Sequence, residues 1–245
     1  MSEDVREALV RGAPTAALRV DALTTDLVRI LPGEFIMGSP DSDHQRALNE
    51  VPARRVRISK PFYLGRFETT LAQYRAVMGW APDEAEDNRL PVSQLPVADV
   101  LEFCRRVTVA TQVGVRLPTE AEWEYACRAG TQTRYSSGST EADLARVAWY
   151  SANSEQRAHP VGQKEPNAWG LYDMHGNIWE YCADWIEDYA TMPSTDPVGR
   201  ITPHHGAIRG GGWMHGPAEC RCATRLISDN MFGGVGFRIA VDPPR

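Results

Sequence analysis

Residues 209–225 read RGGGWMHGPAECRCATR and gather side-chain types that bind metals and move electrons. His215 and Cys220 stand close together in this stretch, and an imidazole with a thiolate is a competent donor pair for copper or zinc. Cys222 adds another thiol. Two ligands at one spacing, with no third in reach along the chain, do not make a site, and the glycines and Pro217 equally fit plain turn geometry. The remaining histidines add little by spacing. His204 and His205 are adjacent, so on a strand they point to opposite faces. His44, His159 and His175 stand alone and read as surface or hydrogen-bonded side chains. No Ser–His–Asp set and no phosphate-cradling glycine motif stands out.

The chain that must position these groups has 245 residues, 42% of them hydrophobic and 24% charged, the composition of a globular domain with an ample core. Its net charge of -6 carries no Lys/Arg run, which argues against nucleic acid as the main partner. The N-terminus MSEDVREALVRGAPTAALRV is studded with acids and arginines and lacks a signal peptide's apolar stretch. No segment is apolar enough to span a bilayer. A cytoplasmic protein without a membrane partner is the expectation, with its five cysteines mainly as thiols.

The elements are expected to be few. Residues 1–25 read as a short helix plus linker, a tail to the domain at 26–245. LVRILPGEFIMGS reads as strand, turn, strand. Thr69 or Thr70 caps LAQYRAVMG, closed by Gly79, and Thr119 with Glu122 forms a capping box for EAEWEYACRAG, closed by Gly130. ADVLEFCRRVTVA sets Val100, Leu101, Cys104 and Val107 on one face, with Cys104 and Cys127 as core filling. Beyond Gly130 the chain is rich in tryptophan and punctuated by glycine, which promises turns and short strands up to VGFRIAVD, an α+β chain whose second half needs aromatic anchors or an ion to hold it.

GEFIMGS, PFYLGRFETTLAQYRAVMG, RLPTEAEWEYACRAGT, HPVGQKEPNAWGLYDMHGNIWEYCADW, RGGGW and GFRIA occur in this order, and together they resemble the sulfatase-modifying-factor family, best known for the formylglycine-generating enzymes. The likeness covers roughly residues 27–240. It implies a C-type-lectin-like fold with low regular secondary structure and a small twisted sheet. Activity is not implied, because the family mixes copper-dependent peptide-cysteine oxidases, iron-dependent sulfoxide-synthase domains, an oxidase-like pyoverdine maturation protein and pure ligand-binding members.

Residue by residue, the resemblance makes GLYDMHGNIWE a calcium loop, with Asp173 and Glu180 as side-chain ligands and the carbonyls of Gly176 and Ile178 between them. Hard oxygen donors and paired carboxylates suit that ion. The competing reading is an Asp facing solvent and a Glu satisfied by a nearby Arg. A second calcium position would use Asn153, with Glu155 as the nearest carboxylate. In the oxidases, segment 209–225 carries a Gly-Gly-Ser turn and two copper-binding cysteines. Here Gly212 takes the serine place, His215 the first cysteine and Cys220 the second. Cys222 matches a cysteine that, in some family enzymes, bridges the one at Cys127; here both are expected to be packed thiols.

Two functions follow. The favoured one is a calcium-stabilised noncatalytic module presenting residues 213–235, with Trp213, Met214, His215, Glu219, Arg225, Asp229, Asn230 and Phe232 meeting a peptide, protein or small-molecule ligand. The alternative is an oxygen- and metal-dependent oxidoreductase acting on a peptide or thiol through His215 and Cys220, with copper or iron.

Overall fold

Capping chemistry sets the helices. In the computed structural model, which describes residues 5–20, 23–83, 85–201, 206–228 and 234–243, five helices form: α1 (Val5–Val10), α2 (Leu71–Met78), α3 (Val97–Thr111), α4 (Glu120–Arg128) and α5 (Glu141–Val147). Thr70 and Gln73 exchange side-chain and backbone hydrogen bonds at the start of α2, and Gly79 ends it in the left-handed region at φ 82°. Thr119 and Glu122 do the same for α4. That helix closes at Ala129, itself left-handed at φ 45°, one residue before the expected Gly130. Helix α5 has its own box, Thr140 with Asp143, in a stretch the sequence reading leaves to turns.

On α3 the inward stripe is Val97, Val100, Phe103, Cys104 and Val107. Leu101 is 38% exposed and is corrected out of it, because one residue beyond Val100 lies about 100° round the helix. Cys104 and Cys127 are both buried, as expected of core filling.

A five-stranded antiparallel sheet runs in the order Thr15–Val20, Leu23–Ile30, Phe62–Gly65, Ala240–Val241, Val115–Arg116. Thr15–Val20 pairs along its whole length with Leu23–Ile30, so the sheet takes in a segment assigned above to the tail. A four-stranded sheet joins Leu226–Ile227, Ala207–Arg209, Trp179–Tyr181 and Val235–Gly236, the last pair parallel. VGFRIAVD therefore supplies two short strands to two sheets, with Arg238 in the bend between them.

These small elements leave much backbone unpaired, and buried arginines take it up. Arg209, Arg225 and Arg238 are 0–1% exposed and Arg221 is 3% exposed. Arg209 donates to the carbonyls of Cys222 and Thr224 and, at 2.7 Å, to Glu124. Arg225 pairs with Glu120 and reaches the carbonyls of Asn49 and Glu187. Arg221 forks onto Glu50 at 2.6 and 2.7 Å, with the Ser39 hydroxyl on the same carboxylate.

Removing one member of a buried fork leaves the other charge stranded. Arg221→Met is expected to lower stability by about 3–5 kcal/mol, since Glu50 keeps only the Ser39 hydroxyl. An unfolding free energy in urea within about 0.5 kcal/mol of the unmodified protein's, the usual effect of a neutral surface change, would contradict the assignment.

Candidate functional site

Three groups of reactive side chains converge around the stretch 173–180. The first is the 209–225 segment. Gly211 sits at φ 81°, and a Cβ there would lie 2.7 Å from Cys220 Sγ, so the turn needs glycine for conformation and for space. The backbone is stitched down on both sides. The Trp213 amide donates to Asn177 O at 2.7 Å, the Ser151 amide to His215 O at 2.9 Å, and the Ser154 hydroxyl to Trp213 O.

This packing gives the two residues the sequence singles out different surroundings. The half-buried His215 ring meets Trp179 edge-on at 5.3 Å, with the indole nitrogen 3.3 Å from Nδ1. At 3.3 and 3.4 Å from the two ring nitrogens, the indole N–H, which only donates, points at the imidazole face. Burial holds the His215 pKa below the usual value, keeping the ring neutral, with Glu219 pulling the other way. Cys220 lies fully buried among Tyr135, Leu144, Ala148 and Tyr150. Burial pushes its thiol up to about 12, with the nearby Glu219 adding to the effect. A thiol so protonated is neither nucleophile nor ligand without a strong inducement. Among the described residues, no third metal donor gathers about this pair.

The segment's surface is smaller than expected. Met214 is exposed, and Trp213, His215 and Glu219 are half-buried. Residues 216–219 edge an open cleft of about 320 Å³ shared with Gln45, Arg134 and Thr140. Arg225 is not on it: at 1% exposure, with both ends of its fork on Glu120, it is a structural residue, correcting the sequence reading. Asp229, Asn230 and Phe232 lie outside the described residues, as do His204 and His205.

The second group is acidic. Asp173, Gly176 and Asn177 all adopt positive φ, which curls GLYDMHGNIWE inward. Both oxygens of Glu180 are 2.6 Å from Arg238, and Trp123 Nε1 adds a bond at 2.8 Å. Glu180 is thus the carboxylate satisfied by an arginine. Asp173 does not face solvent, as the competing reading had it. It is 2% exposed; Oδ2 accepts from the Gly162 amide at 2.7 Å, while Oδ1 is buried without a partner.

Glu68, which the sequence reading passed over, completes the group. It is buried and accepts from Asn177 Nδ2 at 2.7 Å and from the Ile178 amide at 3.2 Å. Burial and the neighbouring Asp173 and Glu180 push its pKa well up, and burial pushes Asp173 up to about 6. Three carboxylates face one paired guanidinium, so full ionisation leaves two negative charges in excess. Nothing in the spacing announces Glu68, which stands 110 positions from Ile178. Asn153 is committed locally, accepting from the Tyr150 amide and donating to Ala148 O, while Glu155 pairs with Arg157 at the surface.

The third group is Cys127, His175 and Cys222. The pairing of the two cysteines suggested by resemblance holds in space, and His175 joins them.

Comparison with known proteins agrees with this architecture. A sulfatase-modifying factor enzyme 1-like domain matches residues 14–243. The formylglycine-generating enzyme of Streptomyces coelicolor is 29% identical, over 89% of this chain and 90% of its own. Treponema denticola variable protein 1 superposes with a TM-score of 0.82 at 26% identity, covering 94% of this chain and 99% of that one. PvdO from Pseudomonas aeruginosa also gives 0.82, at 28% identity, over 94% and 98%.

The burial of Cys220 has a direct consequence. Iodoacetamide in mildly alkaline buffer is expected to leave Cys220 intact in the native protein and to modify it once denaturant opens the fold, read by mass mapping of the alkylated peptides. Rapid alkylation of native Cys220 would mean an accessible, ionised thiol.

Proposed function

Because the chain belongs to the sulfatase-modifying factor enzyme 1-like family, whose members pair one scaffold with different chemistries, we propose that it is a calcium-stabilised binding module and not a working formylglycine-generating oxidase. The observation that carries this reading is the full burial of Cys220, which pushes its thiol pKa up, with His215 standing at the first-cysteine position. An oxidase that captures a substrate thiol needs a thiol that substrate can reach. What the scaffold offers to solvent instead is a mixed rim, with Met214, Trp213, His215 and Glu219 beside the cleft at 216–219. Aromatic and apolar groups next to charged ones suit a peptide or small polar ligand.

Calcium would be held by Asp173 and Glu180 with the carbonyls of Gly176 and Ile178. The fit rests on the orphaned Asp173 Oδ1 and on the two-charge excess, which matches a hard divalent ion taking oxygen donors. Glu180 would share its oxygens with Arg238, and Glu68 would supply further negative charge to the site. Asn153 makes a second calcium position a weaker fit, because its amide already braces the 148–153 turn.

The rival reading is an oxygen-dependent oxidoreductase using copper or iron at His215 and Cys220. The assay that separates the two supplies copper, oxygen and a cysteine-containing sulfatase peptide. No aldehyde is expected from the protein, nor from the double variant Gly212→Ser with His215→Cys, since Cys220 stays beneath Tyr135 and Tyr150 in both. Aldehyde formation by the unmodified chain, abolished by Cys220→Ala, would establish the oxidase instead.

Calcium has its own test. Chelation is expected to lower the melting temperature, and added calcium to raise it again. A ligand at a hundredfold excess over its dissociation constant stabilises by about 2.7 kcal/mol. Asp173→Asn should blunt the response. An unchanged melting temperature, with no calcium in the purified protein, would remove the ion from the account.

A further inference from the structure

Behind the acidic loop, three side chains from distant parts of the chain meet in the core. Cys127 lies in the last turn of helix α4, His175 stands on the short strand His175–Gly176, and Cys222 lies in the turns after Arg221. All three are 0–1% exposed, and their donor atoms all lie within 4.8 Å of one another. Cys127 Sγ is 3.7 Å from His175 Nε2. We propose that Cys127, His175 and Cys222 form a structural zinc site that shares no ligand with the calcium loop or with the His215–Cys220 pair.

The imidazole is already set for the task. Its Nδ1 is 2.8 Å from Cys220 O, and a carbonyl only accepts, so the proton sits on Nδ1. Nε2 therefore carries the lone pair, and it accepts from the Ser136 amide at 3.0 Å, consistent with that tautomer. A metal-ligating histidine typically donates its other ring nitrogen to a carbonyl or carboxylate, which fixes ring and tautomer together. Here Cys220 O supplies that support, giving Cys220 a structural part through its backbone.

Donor type and charge select the ion. Two sulfurs and one imidazole nitrogen suit zinc or Cu(I) over hard cations. Each thiol gives up its proton as its sulfur binds, so one Zn(II) releases two protons and leaves the buried centre neutral. Cu(I) with the same ligands would leave a buried negative charge. The nearby Arg128 does not compensate it, being paired with Glu124 at 2.8 Å. Binding costs the Ser136 amide its acceptor, while the half-buried Ser136 hydroxyl, 3.0 Å from Nε2, leaves the fourth position to that oxygen or a water.

The full chain, reduced and then exposed to zinc, should retain stoichiometric metal after dialysis, measured by elemental mass spectrometry. Cobalt(II) in its place should give a thiolate-to-metal charge-transfer band. Cys222→Ser and His175→Ala should each weaken zinc binding by more than tenfold, while Cys104→Ser keeps it. If the core variants do not fold, the cobalt spectrum of the unmodified protein decides alone. The proposal is overturned by a reduced, folded chain that holds no zinc, by bound cobalt without a thiolate band, or by zinc retained undiminished in folded Cys222→Ser. A Cys127–Cys222 disulfide in the protein as isolated from cells, found by peptide mapping without reductant, would also overturn it, because both sulfurs would then be spent.

Discussion

Helix α4 carries its charges on the wrong side for an ordinary amphipathic helix. Glu120, Glu124 and Arg128 follow at i, i+4 and i+8 and are all buried, where leucines would normally stand. Their partners, Arg209 and Arg225, arrive from the loop-rich half of the chain. A guanidinium has five N–H donors, and after the carboxylate is matched the rest are free for carbonyls. Arg128 spends them on Gly38 O and Thr133 O, and Arg238 on Gly65 O and Tyr172 O. Buried backbone acceptors must be satisfied somewhere, and in this fold arginine does what longer strands do elsewhere. The scarcity of regular secondary structure and the abundance of buried arginine are one fact seen twice.

That dependence explains what could be read from the chain and what could not. Local signals worked: Thr70 and Thr119 cap their helices, Gly79 ends one, and the family motifs led to the right fold. Local signals also misled where two positions look alike. Leu101 sits beside the apolar stripe without belonging to it, and Arg225 follows a run of polar loop residues yet is buried against Glu120. The charge forks were invisible because their members are far apart; Glu50 and Arg221 are 171 positions distant. Glu68, in a strand-like stretch, gave no hint that it faces Asp173. His175 is isolated in sequence and crowded in space.

Alternation along one short stretch sorts these environments. Asp173, Asn177 and Glu180 turn to the carboxylate cluster, His175 to the two sulfurs, and Trp179 to His215. Oxygen donors and soft donors therefore gather around different residues of the DMHGNIWE backbone. Cations that differ in hardness would not compete for the same atoms. The left-handed turns at Asp173, Gly176 and Asn177 make this division possible, since a regular strand would allow only two faces.

The strand Ala240–Val241 occupies an interior place in the five-stranded sheet, bonded to Phe62–Gly65 on one flank and to Val115–Arg116 on the other. Ala240 follows Leu64, its partner in the ladder, by 176 positions, so translation delivers this strand long after those it joins. Until then the Phe62–Gly65 edge has no neighbour on that side, and Val115–Arg116 has no sheet to join. The Arg238 fork, a few residues upstream, is equally late. Assembly is consequently governed by closure over long stretches of chain, the circumstance that makes folding slow and exposes open strand edges to other molecules meanwhile. Productive yield in a cell is then set by how well the nascent chain is shielded during that wait, a demand unrelated to the strength of the finished core.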